Sequence, residues 1–143
     1  MQRAAGPDLT ATQLYAILRL RAEVFVIEQA CAYLDPDGRD LEPGTIHLWM
    51  PDGDTCAACV RVLTEPGGGH RIGRVVTALA HRGHHLAGRL IDEALSALSG
   101  AVVLDAQSHL VAVYERHGFV TDGPAFVEDG IPHTPMQLQR PRP

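Results

Sequence analysis

Apolar and polar positions follow two rhythms along this chain, one of three to four residues and one of two, and each rhythm predicts its own kind of element. Leu14, Ile17, Leu18, Val24 and Phe25 recur at helical spacing and predict a first helix, capped by Thr10 or Thr12. Three runs of β-branched and small apolar residues follow: Thr45 to Met50, Thr55 to Thr64 and Arg71 to Ala78. Their joints, Pro51-Asp52-Gly53-Asp54 and Pro66-Gly67-Gly68-Gly69, are short and turn-forming, which predicts an antiparallel meander. Helical spacing returns with Leu86, Leu90, Ile91, Ala94, Leu95 and Leu98 and stops at Gly100. The run Ala101 to Ala106 then predicts a buried strand, and Ser108 a cap for a short helix that closes at Gly118. Phe119 to Val127 and Thr134 to Gln139 predict a final hairpin around Asp129-Gly130. Before Pro7 there is only a weak, short strand candidate.

The polar residues change this picture in two places. Arg21 and Glu28 sit on the apolar stripe of the first helix, which predicts that this face meets a cleft along part of its length. Asp35-Pro36-Asp37-Gly38-Arg39-Asp40 has the acidic spacing of a calcium loop. Its glycine comes two residues too early and no bidentate glutamate follows, so the segment reads as a turn-rich loop.

Composition sets the outer bounds. At 143 residues and 45% hydrophobic content the chain reads as a single domain, residues 1–143. No apolar run approaches the ~20 residues of a membrane span, and the N-terminus has no apolar leader, so a soluble, cytoplasmic protein without membrane contact is expected. Cys31, Cys56 and Cys59 are odd in number, which argues against a disulfide framework. Cys56 and Cys59 lie three apart on a predicted strand, an arrangement that points them to opposite faces and favours structural thiols. Net charge is −5 and all twelve basic residues are arginine. That balance argues against nucleic acid as a partner and leans toward a cationic small molecule.

The candidate chemistry begins at Arg82-Gly83-His84-His85, where a strand runs directly into a helix. Free N–H groups, the helix dipole and flanking Arg82, His84, His85 and Arg89 suit a pyrophosphate. A plain strand-to-helix turn with solvated charges has the same pattern. The segment lacks the lysine and hydroxyl of a P-loop and the spaced glycines of a dinucleotide fingerprint. His81, His84 and His85 raise the question of a metal, but His81 precedes the turn and falls off the helix, so no metal is expected.

Together with its neighbours, this segment resembles the coenzyme-A-binding core of the GNAT superfamily of N-acetyltransferases. That core reads Arg or Gln, two residues, Gly, one residue, then Gly or Ala. Arg82 fits the first position, Ala87 the last, and Gly83 the glycine that often follows the arginine, while His85 stands where the middle glycine is usual. Tyr114-Glu115-Arg116-His117-Gly118-Phe119 is similar to a second signature of the superfamily, and Gln107 stands where an Asn is common. Three further blocks resemble the ElaA-like branch of GNAT acyltransferases: Arg21 to Gln29, Ala106 to Leu110, and Glu128 to His133.

The resemblance implies an α/β fold, a mostly antiparallel mixed sheet flanked by helices, that binds acetyl-coenzyme A or another acyl-coenzyme A as donor. It implies that the backbone of Val75, Val76 and Thr77 pairs with pantetheine and offers an N–H to the thioester oxygen. Arg82, Gly83, His84, His85, Leu86 and Ala87 would hold the phosphates, and Gln107 and Tyr114 would complete the coenzyme site. Tyr114 would donate to the leaving sulfur.

For the proton of the acceptor amine the residues themselves suggest Glu28, on the inward stripe, and His133, beside the hairpin turn. Asp37, Asp40, Glu28 and Asp129 near the cleft suggest a cationic amine, whether a small molecule or a peptide. A coenzyme-binding sensor without turnover is the alternative, and exposed strand edges make a homodimer an expectation.

Overall fold

The computed structural model describes residues 1–140 and builds them around one eight-stranded mixed sheet. The strands are β1 (Gln2–Ala5), β2 (Ile46–Asp52), β3 (Thr55–Thr64), β4 (His70–Thr77), β5 (Gly100–Gln107), β6 (Val120–Thr121), β7 (Phe126–Glu128) and β8 (Ile131–Arg140). Their order is β1-β2-β3-β4-β5-β8-β6, with β7 also on β8. Every pairing is antiparallel except β4 with β5. The helices are α1 (Ala11–Arg21), α2 (Leu86–Ser96) and α3 (Val111–Glu115). No helix among the described residues is long and apolar enough to cross a membrane.

Local chemistry explains the element ends. Thr10 caps α1 through a reciprocal box: its hydroxyl accepts from the Gln13 N–H at 3.2 Å, and the Gln13 side chain accepts the Thr10 N–H at 3.0 Å. Beyond Arg21 the chain winds on as a π-helix over Ala22–Glu28, with the Gln29 N–H donating to the Val24 carbonyl at 2.9 Å. The short segment before Pro7 does form a strand, β1, antiparallel to β2. Ser108 does not cap a helix. It opens a 3-10 turn over Ser108–Leu110, and its hydroxyl lies 2.9 Å from that of Thr134. The final hairpin is also more divided than its apolar pattern predicts, because Phe119 to Val127 breaks into β6 and β7, both laid on one long β8.

Alternation along the strands assigns the two faces of the sheet. Leu48, Val60, Ile72, Val102 and Met136 join Leu90 and Ile91 of α2 in one core, and Trp49, Cys59 and Val76 join Ile17 and Leu20 of α1 in the other. Each fully buried aliphatic side chain contributes about 1.5–3 kcal/mol. Cys56 and Cys59 do not point to opposite faces. Met50 pairs with Ala58 and Pro51 with Cys56, so Ala57 is an extra, bulged residue. The bulge resets the alternation and packs both thiols against α1.

Arg21 corrects a second expectation. It does not border a cleft but is wholly buried, with Nε 2.7 Å from Asp35 Oδ2 and Nη1 2.6 Å from Asp40 Oδ1. Arg61, on β3, continues the network to Asp37 at 2.8 Å and Asp40 at 3.0 Å. The loop that resembles a calcium site therefore spends its carboxylates on arginines. Burial alone raises the Asp37 carboxyl. Hydrogen bonds from Arg61 and from the Arg39 N–H outweigh that and hold it well below the usual carboxylate range.

The same network holds His47, whose Nε2–H donates to the buried carbonyl of Asp40 at 2.9 Å. Burial pushes its pKa below the ordinary 6.5. A depressed folded value means that the unfolded chain takes up the proton first, so stability is whole above pH 6.5 and falls as pH drops toward the folded value. Thermal midpoints are expected to decline as pH falls below about 6.5, and His47→Gln to flatten that part of the profile. An equal slope in both proteins would count against it.

Candidate active site

β4 and β5 share only two register pairs, His70 with Val102 and Arg71 with Val103, and then diverge. The divergence opens a cleft of about 700 Å³ through the middle of the sheet. Val75, Val76 and Thr77 line one wall, Arg82, Gly83 and Ala87 the end toward α2, and Gln107, Tyr114 and His133 the opposite side. Glu28, His84, His85 and Leu86 do not belong to the lining, although Glu28 reaches its edge through Arg82.

The wall formed by β4 is bent. Cys59 pairs with Val76 and Arg61 with Gly73, which leaves Arg74 and Val75 opposite Val60 alone. Arg74 takes up the extra length with φ +49°, a conformation that costs a non-glycine residue roughly 1–2 kcal/mol. Its side chain compensates. Nε lies 2.8 Å from Asp35 Oδ1, Nη2 donates to the Asp35 carbonyl at 3.0 Å, and the guanidinium sits 5.8 Å over the Tyr33 ring. The Tyr33 hydroxyl donates to Asp35 at 2.9 Å, and burial followed by that bond pushes its pKa up. The acidic loop thus fixes the bulge from which Val75 and Val76 face the cleft.

The turn before α2 has the backbone of a glycine-rich loop despite its histidine. His85 adopts φ +56° and ψ +31°, and Gly83 has φ +88° with no atom within 4 Å of where a Cβ would stand. The first backbone bond of α2 runs from the Arg89 N–H to the His85 carbonyl at 3.0 Å. The N–H groups of Leu86, Ala87 and Gly88 lie ahead of any intrahelical acceptor, at the positive end of the helix dipole. His85 therefore keeps the path that its glycine-like position requires.

Tyr114 projects from α3 into the cleft. Its ring packs edge-to-face on Phe119 at 6.3 Å, and burial pushes its pKa up to about 12. Gly118, with φ +95°, ends that helix, and the Phe119 N–H returns to the Tyr114 carbonyl at 3.3 Å. His117 fastens this unit to α2 through Asp92 Oδ1 at 2.7 Å.

On the far side, His133 Nδ1 lies 2.8 Å from the Ile131 carbonyl, and its ring stacks on Phe126 at 5.7 Å and 19°. A carbonyl can only accept, so in the neutral ring Nδ1 carries the proton and Nε2 the lone pair. Gln107 donates to Gln29 Oε1 at 3.1 Å, which joins β5 to the end of the π-helix. Glu28 is held by Arg82, whose Nη2 lies 2.9 Å from Oε2 and 3.0 Å from Oε1. Asp37 and Asp40 are committed to arginines, so they do not provide the free negative charge expected of them. Asp129 does line the cleft, together with Glu128, while Asp105 lines it paired with Arg71.

Several cleft residues were not singled out as site residues from the sequence. Gln29 adjoins Glu28 in the Arg21 to Gln29 segment, but its pairing with Gln107 joins positions 78 apart. Arg74 had no such signal, because nothing in a strand-like run marks the arginine that will carry a bulge. Arg71 binds Glu65 at 3.0 Å and Asp105 at 2.9 Å and so lies across the cleft floor. His81 pairs with Asp52 at 2.9 Å, and no group of three or more His, Cys, Asp or Glu among the described residues is arranged to hold a metal.

Comparison with known proteins places this geometry among relatives. Residues 23–140 match the acetyltransferase (GNAT) domain family. The chain is 45% identical to the UPF0039 protein Mb2876c of Mycobacterium bovis, over 99% of this chain and 97% of that one. It is 37% identical to protein ElaA of Escherichia coli, over 90% and 89% of the two chains. Among solved structures, an acyl-CoA N-acyltransferase from Pseudomonas aeruginosa superposes with a TM-score of 0.89 at 42% identity, covering 95% of this chain and 97% of that one.

Proposed function

The chain belongs to the acetyltransferase (GNAT) family, and from that premise we propose that it transfers an acyl group from acyl-coenzyme A directly to an amine. One observation carries the reading. The gap between β4 and β5, the phosphate-type turn at Arg82 to Ala87 and the Tyr114 phenol all open on the same cleft. The gap supplies unpaired strand backbone for pantetheine, the turn supplies N–H groups and cationic side chains for pyrophosphate, and the phenol supplies a donor for sulfur.

The reaction balances without a metal or a covalent enzyme intermediate. The amine lone pair attacks the thioester carbonyl carbon, the C–N bond forms, and the C–S bond breaks with its electron pair leaving on sulfur. A backbone N–H within Val75 to Thr77, just past the bulge at Arg74 and Val75, faces the developing oxyanion. Tyr114 stabilises the thiolate as a hydrogen-bond donor. Moving its proton outright from a phenol near about 12 to a thiol near about 8.5 is uphill by roughly 5 kcal/mol. The amine must also shed a proton, at a cost of about 4–5 kcal/mol at neutral pH. His133 suits that task because it lines the cleft with Nε2 free, and Glu28 stands second because its carboxylate is engaged by Arg82. Glu128 and Asp129 favour a cationic acceptor.

Calorimetry with coenzyme A, followed by a thiol-release assay with acetyl-coenzyme A against a panel of amines, tests the reading. One-site binding and turnover with at least one amine are expected. A chain that binds no coenzyme is not an acyltransferase of this kind, and binding without turnover on any amine would point to a coenzyme sensor.

A further inference from the structure

The Arg82–Glu28 pair joins two parts of the site that the reaction uses separately. Arg82 belongs to the turn proposed for the pyrophosphate. Glu28 belongs to the π-helix whose next residue, Gln29, lines the opposite part of the cleft. The two are 54 positions apart in the chain, yet both carboxylate oxygens sit within 3.0 Å of one guanidinium nitrogen. A second nitrogen of the same group, Nε, donates to the Thr77 carbonyl at 3.2 Å and ties Arg82 to the end of β4. A carboxylate and a phosphate present a guanidinium with the same chemistry, two anionic oxygens in one plane. Both side chains remain about two-fifths exposed, at 39% and 40%, so the pair is open to exchange with a ligand. Exposed pairs of this kind contribute little on their own.

We propose that Glu28 is an internal occupant of the pyrophosphate site, and that coenzyme binding displaces it from Arg82. The inference rests on the acyltransferase reading above and adds an order of events to it. Before coenzyme binds, Glu28 is neutralised by Arg82. Once pyrophosphate takes the guanidinium, the carboxylate is set free beside Gln29, at the edge of the cleft that the amine must enter. The donor thus creates the negative charge that attracts a cationic acceptor, and the coenzyme binds first. Glu28 is carried by the π-helix over Ala22–Glu28, a form frequent at functional sites.

Calorimetry on the full chain distinguishes the possibilities, with coenzyme A as the titrant against the wild type, Glu28→Gln, Arg82→Gln and the double variant. Competition predicts that Glu28→Gln binds coenzyme A about 2- to 5-fold tighter than wild type, in line with the small worth of an exposed pair, and that this gain vanishes when Arg82 is also replaced. Equal or weaker binding by Glu28→Gln, with wild-type binding intact, would overturn the proposal, because Glu28 would then be neutral or would hold Arg82 in place for the phosphate. A gain that persists in the Arg82→Gln background overturns it as well, since the effect would not pass through the guanidinium. Failure of the wild type to bind coenzyme A removes the acyltransferase reading itself, and the competition with it.

Discussion

Replacing Arg21 with methionine is expected to destabilise the folded chain by about 3–5 kcal/mol. The guanidinium is wholly buried and supplies three of its nitrogens to Asp35 and Asp40. Methionine fills much of the volume but leaves two buried carboxylates short of a partner, and an uncompensated buried charge is the costly half of a broken pair. Arg61 still serves Asp40, and Arg74 still serves Asp35, which places the expected loss nearer the lower end. For a chain of this length the change corresponds to a fall of about 10–15 °C in the thermal midpoint. Urea unfolding at neutral pH measures it directly. A loss under about 0.5 kcal/mol, the range of ordinary surface substitutions, would show that the network is solvated and not buried. Where the loss is confirmed, catalytic loss should accompany it, because the same loop holds the Arg74 bulge.

Tyr114→Phe is expected to separate chemistry from binding. Phenylalanine retains the edge-to-face contact with Phe119 and most of the buried area, so the fold and the affinity for coenzyme A should change little. What disappears is the phenol proposed above to donate to sulfur as charge develops there. Removing a single positioned donor of this type lowers turnover by roughly 10²- to 10³-fold. The expected pattern is therefore a large fall in kcat with the coenzyme Kd within about twofold of wild type. Turnover that survives unchanged would assign the thiolate to another donor or to solvent. A parallel loss of coenzyme affinity would instead make Tyr114 a packing residue of the pantetheine channel.

The parts of the fold that could be read in advance are those set by local period. The bounds of Thr55–Thr64 are legible because its apolar run ends in strong turns, and the stripe from Leu86 to Leu98 has only one helical face to bury. The α2 turn and Tyr114 are marked in the sequence by their resemblance to short family motifs, and residues of both line one cleft. What could not be read depends on partners far along the chain. Arg21 looks like a cleft residue until Asp35 and Asp40 are brought to it. The two cysteines look opposed until β2 forces the bulge at Ala57. Arg74 acquires its positive φ only from the register between β3 and β4. Glu28 looks like a free base on the helix stripe until Arg82 arrives from 54 residues away to claim it. The carboxylates of the loop show the same limit, since sequence supplies their charge but not the arginines that neutralise it.

The two-pair contact between β4 and β5 also makes the sheet a jointed object. On one side lie β1 to β4, three of them closed by consecutive hairpins. On the other lie β5 to β8, wound around one long strand. Few ladder bonds cross the joint, so the two panels are fastened mainly by the side chains of their shared apolar core. Opening at the joint exposes less hydrogen-bonded backbone than opening inside either panel, and it is there that partial unfolding costs least. A ligand that bridged the gap with its own amides would act as a missing rung. Its stabilising effect would spread across both panels, and amide hydrogen exchange in strands remote from the cleft would slow along with those that touch it.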